Sequence, residues 1–405
     1  GFGLPIGGVM ATARDGLVSA GAVGMDINCG VRLIKTDIPS REVDKKQLQT
    51  LLREIEKRIP LGLGKKSSDK RLRNIDLKRI ADLGAQEVVR TYGLGTEDDL
   101  NNIEEYGRIP GGDLSAVSSR AVSRGDQLGT IGSGNHFIEI GCISEVFDQD
   151  IAEAFGLKKD MLTIMVHTGS RGFGHQICND FSSSMIRWAK KNGVTLPNRG
   201  LAYAPLDSEL GKQYLAAMAS AANFAFANRQ IITDYIRNSF SKVFACSWDK
   251  LGLDLIYDVA HNIAKFEEYD GEELLVHRKG ATRALPEGHK DNNEKYLSTG
   301  QPAVIPGTMG TASYVVVGTQ LAEETFYSVN HGAGRVLSRT AARKTITEKE
   351  FTDSMEDVVH FHRPRKVIDE APGAYKDIET VVDTLADIEI TKKVVQLKPM
   401  GVLKG

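Results

Sequence analysis

Residues 209–244, ELGKQYLAAMASAANFAFANRQIITDYIRNSFSKVF, are rich in alanine and aromatic side chains and contain no glycine or proline after Gly211. Alanine favours the helical state most strongly, whereas glycine and proline favour it least. A helix that is apolar around most of its surface is buried in a protein core. The stretch therefore predicts one long, largely buried helix.

Shorter patterns on either side of this stretch predict a second helix and several strands. Residues 44–59 repeat apolar side chains at helical spacing and are followed by Gly62 and Gly64, which predicts an amphipathic helix. Runs of β-branched residues predict strands at Val31–Lys35, Phe137–Ile140, Leu162–Val166, Leu255–Val259, Glu273–Val276 and Tyr314–Val317. Because helices and strands mix irregularly, we expect an α+β fold rather than a regular βαβ repeat.

The length and composition indicate an ordinary globular protein. A chain of 405 residues would allow two or three domains of about 150 residues each. No repeat, low-complexity tract or long linker divides the sequence, so we expect one large interwoven domain over residues 1–405. With 41% hydrophobic and 26% charged residues, the composition argues against a disordered or fibrous protein.

The charge and the cysteines narrow the partners and the compartment. The formal net charge is -2, so the chain as a whole is not a polycation that binds nucleic acid by bulk charge. No apolar run approaches the roughly 18 residues that cross a bilayer, and the N-terminal residues do not resemble a secretory signal. Four scattered cysteines fit a reducing compartment better than a disulfide framework. We expect a cytoplasmic protein without a membrane partner.

One local segment departs from this neutral balance. Residues 65–79, KKSSDKRLRNIDLKR, carry many more basic than acidic side chains. A solvated loop and helix start is the commoner explanation for such a run. Contact with a nucleic-acid phosphate backbone is the functional alternative.

Three of the nine histidines, His136, His167 and His261, each border a strand-like apolar run, with a small or amide residue close by. One such histidine is more often a hydrogen-bonded core residue than a ligand, but three in the same context favour a metal site. Imidazole and thiolate are ligands that borderline divalent metals prefer. The segment GMDINCGVR, residues 24–32, adds Asp26 and Cys29 between glycines, although Cys29 alone would equally fit a small buried hydrophobe.

Two glycine-rich segments have the features of anion-binding loops. They are VIPGTMGTASY, residues 304–314, and SVNHGAGRVLSR, residues 328–339. Glycine exposes backbone N–H groups that can surround a phosphate, and arginine binds one bidentately. His331 stands inside the second segment, where a neutral imidazole could act as nucleophile, base or ligand. HRKGATRAL, residues 277–285, predicts a third phosphate-facing loop through His277, Arg278, Lys279 and Arg283.

Together these segments resemble the RtcB family of GTP-dependent RNA ligases. The shared motifs, in order, are DINCGVR, GSGNHFIE, VHTGSRGFGH, AANFAFANRQ, AHNIAKFEE, VHRKGATRA, IPGTMGTASY, NHGAGRVLSR and KPMGVLKG. The resemblance runs from Gly1 to Gly405, and the spacing of Cys29 and His136 resembles the archaeal and eukaryotic branch more than the bacterial one. It implies mixed β-sheets packed centrally with helices around them.

The resemblance also implies a reaction and a set of residues. Family members join RNA ends with a 2′,3′-cyclic phosphate or 3′-phosphate to 5′-hydroxyl ends in tRNA splicing and RNA repair. They use two manganese ions and GTP, through a histidine-GMP intermediate at the position of His331. The implied metal ligands are Asp26, Cys29 and His136 for one ion and Cys29, His167 and His261 for the other. The implied nucleotide pocket consists of Asn135, His136, Phe137, Ile138, Glu139, His261, Asn262, Pro306, Gly307, Thr308, Met309, Ser313, His331, Gly332, Ala333, Gly334 and Lys404.

RNA is the partner that the family resemblance implies, as tRNA halves or broken ends, together with an archease-type activating protein. Arg171, Arg335 and Arg339 are our candidates for holding RNA phosphates.

The sequence departs from the family pattern at two places. Asn330 precedes His331 where the family has a cysteine, and we expect this small polar residue to be tolerated. The sequence also begins shortly before Asp26, whereas family members carry a longer N-terminal region, so we expect an upstream part of the domain to be absent.

Two other functions compete with the ligase. A dinuclear-metal phosphodiesterase could use the same aspartate, cysteine and histidines without a covalent nucleotide. An inactive RNA-binding fragment would also fit, although every implied ligand and the histidine nucleophile are present.

Overall fold

A computed structural model describes residues 3–405, which are built around one large antiparallel sheet. The strands are β1 (Gly8–Ala13), β2 (Leu17–Val18), β3 (Gly30–Pro39), β4 (Phe137–Val146), β5 (Met161–Thr168), β6 (Ala204–Pro205), β7 (Leu255–Ala260), β8 (Asn262–Tyr269), β9 (Glu272–Lys279), β10 (Ala281–Arg283), β11 (Pro302–Ile305), β12 (Ser313–Gly318), β13 (Ser328–Asn330) and β14 (Thr391–Lys404). Seven strands form the central sheet in the order β11-β12-β14-β4-β5-β3-β7. A smaller sheet has the order β1-β9-β8, and β10 with β13 and β2 with β6 form two-stranded pairs.

Helices surround these sheets. They are α1 (Ala20–Val23), α2 (Lys45–Arg58), α3 (Leu77–Leu83), α4 (Ala85–Tyr92), α5 (Glu97–Asn101), α6 (Ser119–Val122), α7 (Gln149–Phe155), α8 (Arg171–Lys191), α9 (Glu209–Phe244), α10 (Arg339–Thr345), α11 (Glu348–Ser354), α12 (Pro364–Val367) and α13 (Ile378–Asp387). Within residues 3–405, none of the helices combines the length and the apolar character needed to cross a membrane.

Both faces of the central sheet are covered. Ile164 and Val166 of β5 belong to a large core that also contains the apolar side chains of α2 and α9. Met165, between them, belongs to a second core on the opposite face. This alternation follows from the strand geometry, in which successive side chains point to opposite faces. A strand buried on both sides therefore has a continuous apolar sequence, which is why these strands were recognisable.

The predicted elements are confirmed. The long helix spans Glu209–Phe244, and the predicted helix over residues 44–59 is observed as Lys45–Arg58. Each of the six predicted strands lies within an observed strand, five in the central sheet and one in β9. The α+β class with central sheets and surrounding helices is therefore correct. We retain a single domain over residues 1–405 as a proposal, because the largest core includes both Val18 and Leu403.

The prediction of a phosphate-facing loop over residues 277–285 is wrong. This segment contains the end of β9 and all of β10, and Arg278 and Arg283 are buried. Nη1 of Arg278 lies 2.5 Å from Oε1 of Glu267, and Nη2 of Arg283 lies 3.0 Å from Oε1 of Glu105. These arginines are therefore internal counter-ions of buried carboxylates rather than phosphate ligands.

Candidate active site

Four adjacent strands bring their ends to one edge of the central sheet. His136 and Cys29 directly precede the first residues of β4 and β3, His167 is the penultimate residue of β5, and His261 directly follows β7. The antiparallel pairing of β4 with β5, and of β3 with both β5 and β7, aligns these ends. Neighbouring strands lie about 4.8 Å apart, so side chains at the same level can share one bound ion. Asp26 joins them from the turn before β3.

The side chains of these five residues converge. The Cys29 sulfur lies 3.3 Å from Nε2 of His136 and 3.3 Å from Nε2 of His167. Nε2 of His167 lies 3.3 Å from Nε2 of His261, and Oδ2 of Asp26 lies 2.8 Å from Nε2 of His136. The atoms form two groups that share Cys29, and within each group they lie within 4.8 Å of one another. The structure thus brings together all five residues that the family resemblance implies as metal ligands.

Burial sets the protonation states of the cluster. It raises the pKa of the Cys29 thiol well above its usual value and lowers the pKa values of His136, His167 and His261. Burial alone would raise the pKa of Asp26, but the adjacent His136 holds it well below its usual value. At neutral pH the histidines are therefore uncharged, with lone pairs available as ligands.

The donor set fits a pair of divalent cations. The Nε2 atoms of the three histidines converge on the Cys29 sulfur, on the Asp26 carboxylate and on one another. The Nδ1 atoms on the other side of the rings are buried without a hydrogen-bond partner among the described residues. A cation would take the Nε2 atoms as ligands, and it would also deprotonate the cysteine thiol, as metal coordination generally does. Imidazole, thiolate and carboxylate suit several transition metals, so the choice of manganese depends on the family resemblance.

Arg229, a fully buried residue of α9, supports the backbone beside two of the candidate ligands. Nη1 of Arg229 donates to the carbonyl oxygens of Asn28 at 2.8 Å and Thr168 at 2.9 Å, and Nε donates to Oδ1 of Asp258 at 2.8 Å. Asn28 and Thr168 directly adjoin Cys29 and His167 in the chain. The AANFAFANRQ motif therefore fixes the backbone on which two of the metal-ligand candidates are mounted.

Backbone conformation also shapes the turn before β3. Asn28 has a φ of 52°, a left-handed conformation that asparagine tolerates better than most residues. A Cβ atom at Gly169 would lie 2.6 Å from Oδ1 of Asp26, so only glycine leaves room for that carboxylate. These requirements explain the small and amide residues that surround the candidate ligands.

A cavity of about 540 Å³ opens beside the cluster of candidate metal ligands. Its floor comes from β4 and β14, where Phe137 pairs with Lys404 and Glu139 with Val402. The cavity is lined by twelve of the residues implied for the nucleotide pocket: Asn135, Phe137, Glu139, Pro306, Gly307, Thr308, Met309, His331, Gly332, Ala333, Gly334 and Lys404. His167, one of the candidate metal ligands, also lines it.

The other residues implied for the pocket lie behind its walls. Ile138 points to the opposite face of β4, into the core with α9. The Ser313 hydroxyl accepts a hydrogen bond from the Gly307 N–H at 3.1 Å and so supports the loop over residues 306–309. Asn262 donates to the Asp26 carbonyl at 3.0 Å, while His136 and His261 belong to the cluster of candidate metal ligands. A direct nucleotide contact of these residues remains a prediction.

Two buried ionisable side chains, Glu139 and Lys404, lie on the cavity floor. Burial raises the pKa of Glu139 to about 8, against the opposing influence of Lys404. Burial also lowers the pKa of Lys404, although Glu370 acts in the opposite direction. A carboxyl group with such a pKa can exist as donor or acceptor near neutral pH, which suits recognition of a base with both kinds of group.

His331 lies where the cavity meets the cluster of candidate metal ligands. Its ring centroid is 4.8 Å from that of His261. Desolvation lowers the pKa of His331 to about 4, against a hydrogen bond with the Gly280 backbone. Its imidazole is therefore neutral at pH 7 and carries a nucleophilic lone pair. The loop is held by Asn330, whose Nδ2 donates to the Gly332 carbonyl at 3.2 Å.

The three arginines proposed for RNA phosphates differ in their surroundings. Arg171 is buried, and its Nη2 donates to the carbonyl oxygens of Gly62 at 3.2 Å and Ile131 at 3.3 Å. These contacts are those of a support for the loops beside the site. Arg335 and Arg339 line the cavity and are partly exposed.

Sequence reasoning missed the residue that organises this wall of the cavity. Glu370 lies 3.3 Å from Nη1 of Arg335 and 3.3 Å from Nζ of Lys404, and it also pairs with Arg339. The Tyr375 hydroxyl donates to its Oε2 at 2.5 Å. No motif marks Glu370 or Tyr375 in the sequence, because their partners come from distant segments of the chain.

Comparison with known proteins identifies the same family as the sequence motifs. The profile of the family described as tRNA-splicing ligase RtcB matches residues 1–405. The chain is 47% identical to the tRNA-splicing ligase RtcB of Methanococcus maripaludis and 46% identical to those of Archaeoglobus fulgidus and Thermococcus kodakarensis. Each alignment covers 100% of this chain and 86% of the relative.

Proposed function

This chain belongs to the RtcB family of tRNA-splicing ligases, and from that premise we propose an RNA ligase that joins a 2′,3′-cyclic phosphate or 3′-phosphate end to a 5′-hydroxyl end. One observation carries the proposal. A neutral histidine, His331, stands between a buried cluster of metal-ligand type and a cavity lined by glycine-rich loops. That juxtaposition suits nucleotidyl transfer and is not needed by a simple phosphodiesterase.

We assign two manganese ions to the cluster. Asp26, Cys29 and His136 would hold one ion, and Cys29, His167 and His261 the other. Such ions supply positive charge that offsets the charge of a triphosphate and of the attacking and leaving oxygens. The protein itself supplies a rigid frame, because the ligands lie at strand ends and Arg229 donates hydrogen bonds to the backbone next to Cys29 and His167.

In the first chemical step, His331 acts on GTP. A ring nitrogen attacks the α-phosphorus, so that a P–N bond forms and the bond to the bridging oxygen breaks. Pyrophosphate leaves, and the ring proton is lost to solvent. The low pKa of His331 keeps the lone pair available for this attack at neutral pH. Glu139 and Lys404 at the cavity floor are positioned to bind the base.

The later steps pass GMP to the RNA and then release it. An oxygen of the RNA 3′-phosphate attacks the same phosphorus, the P–N bond breaks, and the ring takes up a proton from solvent, which restores the neutral imidazole. The 5′-hydroxyl then attacks the RNA phosphorus, forms the phosphodiester, loses its proton and expels GMP. A cyclic phosphate must first be opened by water to give the 3′-phosphate.

Guanylylation tests this function directly. With radioactive GTP and manganese, we expect a protein-bound GMP that survives base and is lost in acid, as a phosphoramidate should be. The adduct should be absent in His331→Ala and retained in His289→Ala, a histidine outside the cavity lining. An undiminished adduct in His331→Ala would refute the assignment, and no adduct in the parent protein would favour the phosphodiesterase.

The partner and the compartment follow from the same proposal. The substrate is RNA, as tRNA halves or broken ends, and an archease-type protein is the activator that the family implies. Addition of such a protein should raise the rate of guanylylation. The four unpaired cysteines are in keeping with a reducing compartment, which supports a cytoplasmic location.

A further inference from the structure

A strongly basic surface lies outside the candidate active site. It comprises Lys65, Lys70, Arg73, Lys78, Arg120 and Arg124. All six side chains are exposed, and none forms an ion pair with another residue of the described chain 3–405. Unpaired cations that are grouped on one surface of a chain with net charge -2 indicate an anionic partner.

The segment that carries four of these cations is anchored by its other residues. Arg71 lies 3.3 Å from Oδ2 of Asp234 and 5.7 Å from the centre of the Tyr235 ring, both on α9. Lys66 forms an ion pair with Asp126, which brings the segment beside α6, where Arg120 lies, and beside Arg124, which follows that helix. The paired cations therefore fix the backbone, and the unpaired ones are left for a partner.

This basic surface adjoins a loop that leads to the active site. The Gly62 N–H donates to the Ile131 carbonyl at 3.0 Å, and the Gly62 carbonyl accepts from Nη2 of Arg171 at 3.2 Å. Lys65 is three residues further on, so its Cα lies at most about 11 Å from that of Gly62. The loop that Ile131 begins runs on to Asn135, a residue of the cavity lining.

We infer that this basic surface binds the phosphate backbone of the substrate RNA beyond the joint. The inference rests on the proposed function, because it extends the track of the RNA that the cavity would hold. An RNA whose ends are being sealed continues away from the site, and its phosphates must lie against protein or in solvent. Lysine and arginine side chains bind such phosphates without regard to sequence and release condensed counterions.

The test compares two triple variants of the full chain. Lys65→Gln, Lys70→Gln and Arg73→Gln together remove three unpaired cations of the basic surface. Lys158→Gln, Lys159→Gln and Lys190→Gln remove three exposed lysines that also lack an ion pair among the described residues. These control positions lie at the ends of β5 and α8 that are remote from the site, about 20–30 Å along those elements.

The measurement is the dissociation constant for a two-piece RNA with a base-paired stem, across a range of salt concentrations. We expect the surface variant to bind at least about tenfold more weakly and to lose about two from the slope of log affinity against log salt. The control variant should match the parent. Both variants should seal oligonucleotides that are too short to reach the basic surface at the parent's rate. Guanylylation of His331 should also be unchanged in both.

The outcomes separate this inference from the proposed function. Equal RNA affinities and equal salt slopes in the two triple variants would overturn the inference while guanylylation stayed intact. Equal RNA affinities with a selective loss of polyglutamate binding would also overturn it and would indicate an acidic protein face as the partner. Absence of guanylylation in the parent protein would instead count against the proposed function.

Discussion

The sulfur of Cys29 lies 3.3 Å from Nε2 of His167, at the edge where β3 begins and β5 ends. The same sulfur lies 3.3 Å from Nε2 of His136 on its other side. One thiol therefore belongs to both groups of candidate ligands, whereas Asp26 and His261 each belong to one. This arrangement makes the effects of single substitutions unequal.

Replacing Cys29 by alanine should abolish most manganese binding at both sites. One thiolate would serve both cations, and its loss would leave two positive charges facing each other. Titration calorimetry should show two sites in the parent, few or none in Cys29→Ala, and one in Asp26→Ala or His261→Ala. Cys178→Ala, at a buried cysteine in the core, is the matched control and should retain both sites. Two unchanged sites in Cys29→Ala would contradict the bridging role.

Replacing Arg229 by glutamine should destabilise the protein strongly. Asp258 is fully buried between Arg229 and Arg32, and the Arg229 guanidinium also donates to the carbonyl oxygens of Asn28 and Thr168. Removing one partner of a buried ion pair costs about 3–5 kcal/mol of unfolding free energy. Lys242, on the same helix, is 61% exposed and pairs with Glu54 of α2, so Lys242→Gln should cost about 1 kcal/mol or less. Urea unfolding of both variants measures the difference, and equal losses would exclude a special role for Arg229.

Local sequence patterns determined the elements of this fold because they depend on neighbouring residues. The stretch from Glu209 to Phe244 contains no helix breaker after Gly211, and a single helix spans it. The strand register is different, because the alignment of His136, His167, Cys29 and His261 at one edge depends on pairings between distant segments. The sequence placed each ligand candidate beside a strand but did not show that the four strands are adjacent.

The burial of charged side chains could not be predicted from the sequence. Arg278 and Arg283 look like surface cations in HRKGATRAL, yet their partners Glu267 and Glu105 lie in other segments and allow them to be buried. Glu370 was missed for the same reason. A charged side chain is buried only when the fold supplies its counter-charge, and that is not a property of its neighbours in the sequence.

The pKa of Glu139 predicts a pH dependence of stability. Because burial raises that pKa from 4.5 to about 8, the folded protein binds a proton that the unfolded chain has already released between these pH values. The stability contributed by the protonated carboxyl is therefore present at low pH and is lost as the pH rises toward 8. Glutamine cannot ionise, so Glu139→Gln should not lose stability in this way. The unfolding free energy of the variant minus that of the parent should therefore increase from pH 5.5 to pH 8.

Urea unfolding without GTP or metal, at several pH values, measures this difference. Glu145→Gln is the matched control, because Glu145 is an exposed residue of the same strand and should leave the pH profile of the parent unchanged. A constant offset between Glu139→Gln and the parent across this range would show that the carboxyl is already ionised in the folded protein.

Replacing Glu370 by glutamine should weaken GTP binding more than it slows the guanylylation step. The carboxylate holds Lys404, Arg335, Arg339 and Tyr375 on one wall of the cavity without itself being part of the reacting groups. Burial alone would raise the pKa of Glu370, but Lys404 and its other partners keep the pKa below its usual value. Glu370 is therefore ionised at neutral pH, and its negative charge pairs with the cations on this wall. Without that charge, Lys404 would be a buried cation that has lost its ion-pair partner, and its side chain would move or lose its proton.

We expect the GTP concentration for half-maximal guanylylation to rise about tenfold or more, which is the effect of losing a contact to a charged group, with a smaller change in the rate at saturating GTP. Glu370→Asp retains the charge and should recover part of the affinity. Glu348→Gln breaks the exposed pair with Arg365 and should leave both parameters unchanged, because solvent screens that pair. A fall in the saturating rate with unchanged GTP affinity in Glu370→Gln would mean that the carboxylate acts on the chemical step, and the positioning role would be wrong.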